Sequence, residues 1–197
     1  QVELVSSDDP TCAVKRQPSG DEFGMGYISL KNGKRATVRV KGYVDAKMAH
    51  QKVQPLGFVM RPGDFFEIDM SLSGTSRAVL TANAEDLSVQ VSGTAVADIE
   101  GEFEDVDFST SGVSNITVKG KAVELEVESS GTSSVDALRM PVNSADISLS
   151  GASVCKTYVL KALEAECTGA SSLSYKTDEQ IKLDLKEIAR SATLKKL

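Results

Sequence analysis

"SGTSRAVLTANAEDLSVQVSG", residues 73–93, begins and ends on the same dipeptide, and the next Ser-Gly follows after the same interval. Ser-Gly or Thr-Gly places glycines at Gly74, Gly93, Gly112, Gly131, Gly151 and Gly169, with successive intervals of 19, 19, 19, 20 and 18. With 15 glycines in 197 residues, chance does not produce that regularity. Other columns keep the same phase. Six residues before each glycine stand Ile68, Leu87, Val106, Leu125, Ala145 and Leu163, and four before stand Met70, Val89, Phe108, Val127, Ile147 and Ala165. Four after come Ala78, Ala97, Ile116, Val135, Cys155 and Leu173. The residues between the columns that precede each glycine are almost all polar.

Each repeat therefore holds two short stretches of period-two alternation, the pattern of a strand with one buried face. One such unit cannot bury its apolar face alone, but stacked units can, each strand pairing with its equivalent one coil away. Nineteen extended residues, at about 3.3 Å each, make a circuit of roughly 60 Å, suited to a small closed coil. The pattern predicts an all-β protein, a parallel β-helix with coils of about 19 residues. A left-handed β-helix needs a strict hexapeptide pattern and the calcium-binding form needs Gly-Gly-x-Gly-x-Asp, and neither is present. A right-handed coil is the expectation. The six glycines are read as turn positions that need positive φ or a close backbone approach. The hydroxyls before them, Ser73, Ser92, Ser111, Ser130, Ser150 and Thr168, are read as a structural ladder that satisfies turn backbone groups.

The bulk properties exclude several functions. The net charge is −6, from 28 acidic and 22 basic residues, which argues against nucleic acid as a partner. His50 is the single histidine, so a Ser-His-Asp triad or a histidine-rich metal site has one residue to draw on. Cys12, Cys155 and Cys167 lack metal-ligand or redox spacing, and the latter two fall in inward columns as small hydrophobes. No apolar run is long enough to span a membrane as a helix. Tryptophan is absent, leaving Tyr43, Phe65 and Phe66 as the least poor aromatic contact candidates.

The sharpest feature outside the core is acidic. Five before each glycine lie Asp69, Ser88, Asp107, Glu126, Asp146 and Glu164; seven before lie Glu67, Asp86, Asp105 and Glu124, then Ser144 and Ala162. Both columns are expected on the outside of one wall, about 4.8 Å apart along the axis. Such a face can bind Ca²⁺ through carboxylate oxygens, meet a cationic partner, or serve as a solvated wall that resists aggregation. The same carboxylates could form a glycosidase acid/base pair, but a regular ladder offers no expected cleft.

The first third reads differently. Residues 26–45 alternate around Asn32-Gly33, which predicts a β-hairpin. Residues 46–57 are ambiguous between helix and loop, residues 61–64 read as a turn, and residues 5–22 are polar and Pro-containing. The division expected is 1–64 as strands, hairpin, cap or lead-in, and 65–197 as the β-helix repeat domain, since an open solenoid end needs a cap.

Recurrent Ser-Gly-x-Ser followed by a short aliphatic strand, as in "SGVSNITVKG" and "SGASVCKTYV", resembles the head GIN domain family, described as putative auto-transporter adhesins of Bacteroides-type bacteria. The closing "EIARSATLKKL" is similar to the family's usual ending, whereas "YKTDEQIKLDLKEI" is more charged than its usual last rung. The resemblance covers about residues 65–197 and implies an exported protein, at the cell surface, anchored to the outer membrane, or in the periplasm. No charged-then-apolar leader stands at Gln1, so export is expected to rest on a leader outside this sequence.

The expectation is a non-enzymatic adhesin with no catalytic residues and no cofactor beyond a possible Ca²⁺. It presents a rigid surface to polysaccharide or extracellular protein through Asp69, Asp86, Asp105, Asp107, Glu124, Glu126, Asp146 and Glu164. The alternatives are a polysaccharide-cleaving β-helix lyase or glycosidase, and a purely structural surface module.

Overall fold

The computed structural model describes the backbone of four early strands and all of residues 65–197, with side chains from Ile68 onward. The early strands are β1 (Val2–Ser7), β2 (Lys15–Pro18), β3 (Gly24–Leu30) and β4 (Arg35–Val40). They are followed by β5 (Phe65–Leu72), β6 (Arg77–Thr81), β7 (Ala84–Val91), β8 (Val96–Glu102), β9 (Asp105–Thr110) and β10 (Asn115–Lys121). The chain continues with β11 (Glu124–Ser129), β12 (Ser134–Leu149), β13 (Val154–Cys167), β14 (Ser172–Lys176), β15 (Lys182–Ile188) and β16 (Thr193–Lys196). No helix occurs among the described residues. Cys12, Tyr43, His50, the 46–57 segment and the 61–64 turn lie outside them, as do the side chains of Phe65 and Phe66.

The strands form a parallel β-solenoid of about seven turns with coils of about 19 residues. One wall stacks β3, β5, β7, β9, β11, the second half of β12, the second half of β13 and β15. The other stacks β4, β6, β8, β10, the first halves of β12 and β13, then β14 and β16. The register is the repeat itself: Leu87 pairs with Val106, Val106 with Leu125, and Leu125 with Ala145. Inward side chains such as Leu87, Val89, Ile116, Val127 and Ile147 are buried almost completely. Each such aliphatic contributes about 1.5–3 kcal/mol by leaving water.

The Ser-Gly corners show why the dipeptide recurs. All six corner glycines hold φ between 66° and 77°. A Cβ on Gly112 would meet the Gly93 carbonyl oxygen at 2.6 Å, because each glycine sits directly over the one before it. That same carbonyl accepts a hydrogen bond from the Val113 N–H at 2.7 Å. The hydroxyls bind backbone: Ser130 Oγ donates to the Thr110 carbonyl one coil below, and Ser133 Oγ donates across the corner to the Ser130 carbonyl at 2.8 Å. Inside the corner, Thr110, Ser129 and Ser133 join in a buried hydroxyl network, with contacts of 2.6–3.0 Å. The second corner has its own unforeseen requirement. A Cβ on Gly120, at φ 132°, would fall 1.7 Å from the Gly101 carbonyl oxygen.

The hairpin expected across Asn32-Gly33 is not what forms. β3 pairs in parallel with β5 (Ile28 with Met70, Leu30 with Leu72), and β4 pairs in parallel with β6 (Ala36 with Ala78, Val38 with Leu80). The two strands stand on opposite walls. Asn32 and Gly33 themselves lie outside the described residues. Antiparallel pairing does occur at this end, between β1 and β4 and between β2 and β3.

Replacing Gly112 by Ala imposes both a left-handed backbone on a Cβ and a clash with Gly93. It is expected to lower stability by about 1–3 kcal/mol, read as a lower urea midpoint. The exposed neighbour Val113→Ala is the control, expected within about 0.5 kcal/mol of wild type.

Candidate functional site

The wall that begins with β5 carries the acidic columns, and its alternation turns them outward while Leu, Val and Ile face the core. The outward positions paired in its ladder, from Asp69 to Glu166, contain no Lys or Arg. Register places Asp86, Asp105 and Glu124 one above another, ended by Ser144 and Ala162. Beside them runs Asp69, Ser88, Asp107, Glu126, Asp146, Glu164 and Asp184.

Asp86, Asp105, Asp107, Glu124, Glu126, Asp146 and Glu164 line a concave groove of about 630 Å³. The short side chains of Ser88, Ser144 and Ala162 line it as well. Asp69 shares the column but not the groove. A flat ladder without a cleft was the expectation from regularity alone, and the wall instead has relief. Ser144 and Ala162 end the outer column, which leaves space beside Asp146 and Glu164 that carboxylates would otherwise occupy. A second, smaller depression of about 220 Å³ adjoins it and adds Glu128, Glu166 and Lys186. These three were not singled out in the sequence: Glu128 and Glu166 alternate with serines in their column, and Lys186 lies in the irregular last coil.

Burial, and then charge crowding, perturbs the middle of the ladder. Burial, then Asp107, Asp146 and Glu128, raise the Glu126 carboxyl above its ordinary range. Burial and Glu164 raise Asp146, while Lys186 pulls it the other way. Lys186 Nζ stands 3.3 Å from Glu164 Oε1 and 3.3 Å from Asp184 Oδ2, closing the C-terminal end of the stripe with a cation. The opposite wall is balanced differently. There Arg77 pairs with Asp98 at 2.7 Å, Lys119 with Glu100 at 2.6 Å and Lys121 with Glu102 at 3.7 Å, each bridge joining adjacent coils. On the acidic wall, by contrast, Asp107, Glu126 and Asp146 stack like charge on like in adjacent coils.

Among the described residues, no group of three or more His, Cys, Asp or Glu side chains converges in a way that could hold a metal ion. Outward carboxylates on one wall point side by side, whereas a Ca²⁺ site needs oxygens arranged around a centre. Cys155 and Cys167 are buried free thiols, and burial raises both pKa values and suppresses thiolate chemistry.

The family described as "Putative auto-transporter adhesin, head GIN domain" matches residues 32–178. The chain belongs to this family. Two solved structures share its fold. One is a putative adhesin from Parabacteroides distasonis ATCC 8503, with a TM-score of 0.56 and 22% identity over 66% of this chain. The other, from Bacteroides fragilis NCTC 9343 and also named a putative adhesin, has a TM-score of 0.58 and 19% identity over 71% of this chain. This chain spans 56% and 63% of the length of those two chains. A search of curated proteins finds no match. No helix among the described residues is long and apolar enough to cross a membrane.

The raised carboxyls have a stability consequence. A group whose folded pKa exceeds its unfolded value contributes stability that is complete below the unfolded pKa and is lost as pH rises through the folded one. Glu126→Gln combined with Asp146→Asn is therefore expected to raise the urea midpoint at neutral pH. The gain should vanish once the pH falls below the ordinary carboxylate range, as checked by paired denaturation curves at the two pH values.

Proposed function

We propose that this head GIN domain protein is a non-enzymatic, exported adhesin that uses its acidic groove to hold a positively charged partner at the cell surface. The observation that carries this reading is the groove of about 630 Å³ lined by seven carboxylates on one wall, opposite a wall whose charges bridge one another. Parallel strands fix the carboxylates at the coil spacing, so the partner meets a preorganised surface that needs little ordering on binding. A basic segment of an extracellular protein, or a polysaccharide bearing amino groups, has the complementary charge. Membership of an adhesin family supports a binding role and a location outside the cytoplasm.

The test is an array of glycans and extracellular-matrix proteins, probed with and without Ca²⁺. Binding to cationic members that weakens with salt is expected. Neutralising Asp107, Glu124 and Glu126 together, as Asn, Gln and Gln, should weaken it about tenfold. Undiminished binding by that variant would place the contact elsewhere, and no binding to any member would leave a structural surface module.

A second reading is polysaccharide cleavage, favoured by the raised Glu126 carboxyl in a groove it shares with Asp107 and Asp146. Incubation with acidic polysaccharides, followed by a reducing-end and unsaturated-product assay, separates the two. Product formed by wild type and lost in Glu126→Gln supports an enzyme.

A further inference from the structure

The one interval of 20 residues, from Gly131 to Gly151, takes up its extra residue on the wall opposite the acidic groove. Ile116 pairs with Val135 and Thr117 with Asp136, each 19 apart, whereas Lys119 pairs with Arg139, 20 apart. The result is a β-bulge in β12. Partly buried Leu138 and exposed Arg139 follow one another between the buried Ala137 and Met140. Asp136 Oδ1 accepts the Leu138 N–H at 3.2 Å and fastens the bulge. Bulges re-aim side chains, and the one presented here is an arginine.

Charge on this wall is bridged below the bulge and unbridged at it. Arg77, Lys119 and Lys121 bridge Asp98, Glu100 and Glu102, while Asp178 accepts from the Tyr158 hydroxyl and stands 3.9 Å from Lys176. Arg139 and Lys156, the latter in register with Asp136 one coil on, form no salt bridge among the described residues. Neither do Asp107, Glu126 and Asp146 in the acidic groove. We propose that the acidic groove of one copy docks the bulged wall of a second copy, the two solenoids side by side, with Arg139 entering the groove between Glu126 and Asp146. The choice of partner rests on the reading of the groove as a seat for cations and names which cation enters it. Shape and charge agree. A convex bulge meets a concave groove of about 630 Å³, and an arginine meets carboxylates that it can grip through two parallel hydrogen bonds. Spacing favours a second copy over an unrelated cationic chain. Arg139 and Lys156 stand one coil apart, as Glu126 and Asp146 do, so parallel solenoids bring one ladder against the other in step. The contact joins unlike faces, so each copy keeps one face open and copies add in a row.

Sedimentation equilibrium over a wide range of protein concentration tests this, with circular dichroism verifying the solenoid in each variant. Wild type is expected to form dimers and longer rows as concentration rises. Arg139→Gln with Lys156→Gln disables one face, and Glu126→Gln with Asp146→Asn disables the other. Each pair of changes should raise the dissociation constant about tenfold. An equimolar mixture of the two variants retains one pair of intact faces, so it should recover the wild-type affinity but stop at a heterodimer. A wild-type monomer at every concentration up to about 1 mM overturns the proposal. So does either variant associating as wild type does, or a mixture that associates no more tightly than its components. The variant changed at Arg139 and Lys156 keeps the acidic groove whole, so its binding on the array reports the adhesin reading whether or not rows form.

Discussion

Everything in this molecule depends on one close approach: a glycine carbonyl in one coil occupies the space where a Cβ would stand in the next. Gly93, Gly112 and Gly131 each place that carbonyl about 2.6 Å from the missing Cβ of the glycine above. Any side chain there would part the coils at the corner and lengthen the hydrogen bonds that carry the stack, such as Thr132 N–H to the Gly112 carbonyl at 2.8 Å. Because the corner fixes the vertical step, it also fixes which residues share a column. Core filling, hydroxyl bonding and the surface charge pattern all follow from that step.

The two walls use the same scaffold for opposite electrostatic ends. On one, residues of opposite sign are offset by one coil, so that Glu100 meets Lys119 and Glu102 meets Lys121 across adjacent strands. On the other, like charges meet like: Asp107 is in register with Glu126, and Glu126 with Asp146. Cross-strand like charges oppose stability. The core and the corner ladders hold them in place, which is how a solenoid can carry a surface that costs it stability and remain folded. At Glu126 and Asp146 burial first and neighbouring carboxylates second raise the carboxyls above their ordinary range.

Much of this was legible because a coil repeats its chemistry at a fixed interval. The columns through Leu87, Val106 and Leu125 identify strands, walls and interior without reference to any other protein, and the acidic columns follow from the alternate positions. Three features were not legible, each for a physical reason. An Asn-Gly step signals a tight hairpin from local sequence, whereas the parallel pairing of β3 with β5 and of β4 with β6 is set by partners distant in the chain. The groove comes from relief across several strands, set by the small Ser144 and Ala162, and a column reading registers residue type without depth. Gly101 and Gly120 form a second, shorter glycine column that the six-fold repeat conceals, and its meaning is clear only once Phe103 and the Ala82 carbonyl are seen beside it.

The account rests on coils stacked in direct one-repeat register, which turns a sequence period into a ladder of carboxylates. Cysteines at Asp107 and Glu126, paired across adjacent strands of the acidic wall, test that most directly. Parallel neighbours are about 4.8 Å apart, within disulfide reach, whereas Asp107 and Asp146 stand two coils apart, beyond it. Mild oxidation should join the 107/126 pair rapidly and leave a 107/146 pair open. Equal cross-linking of both pairs, or none at 107/126, would contradict the stacked ladder and the functional reading built on it.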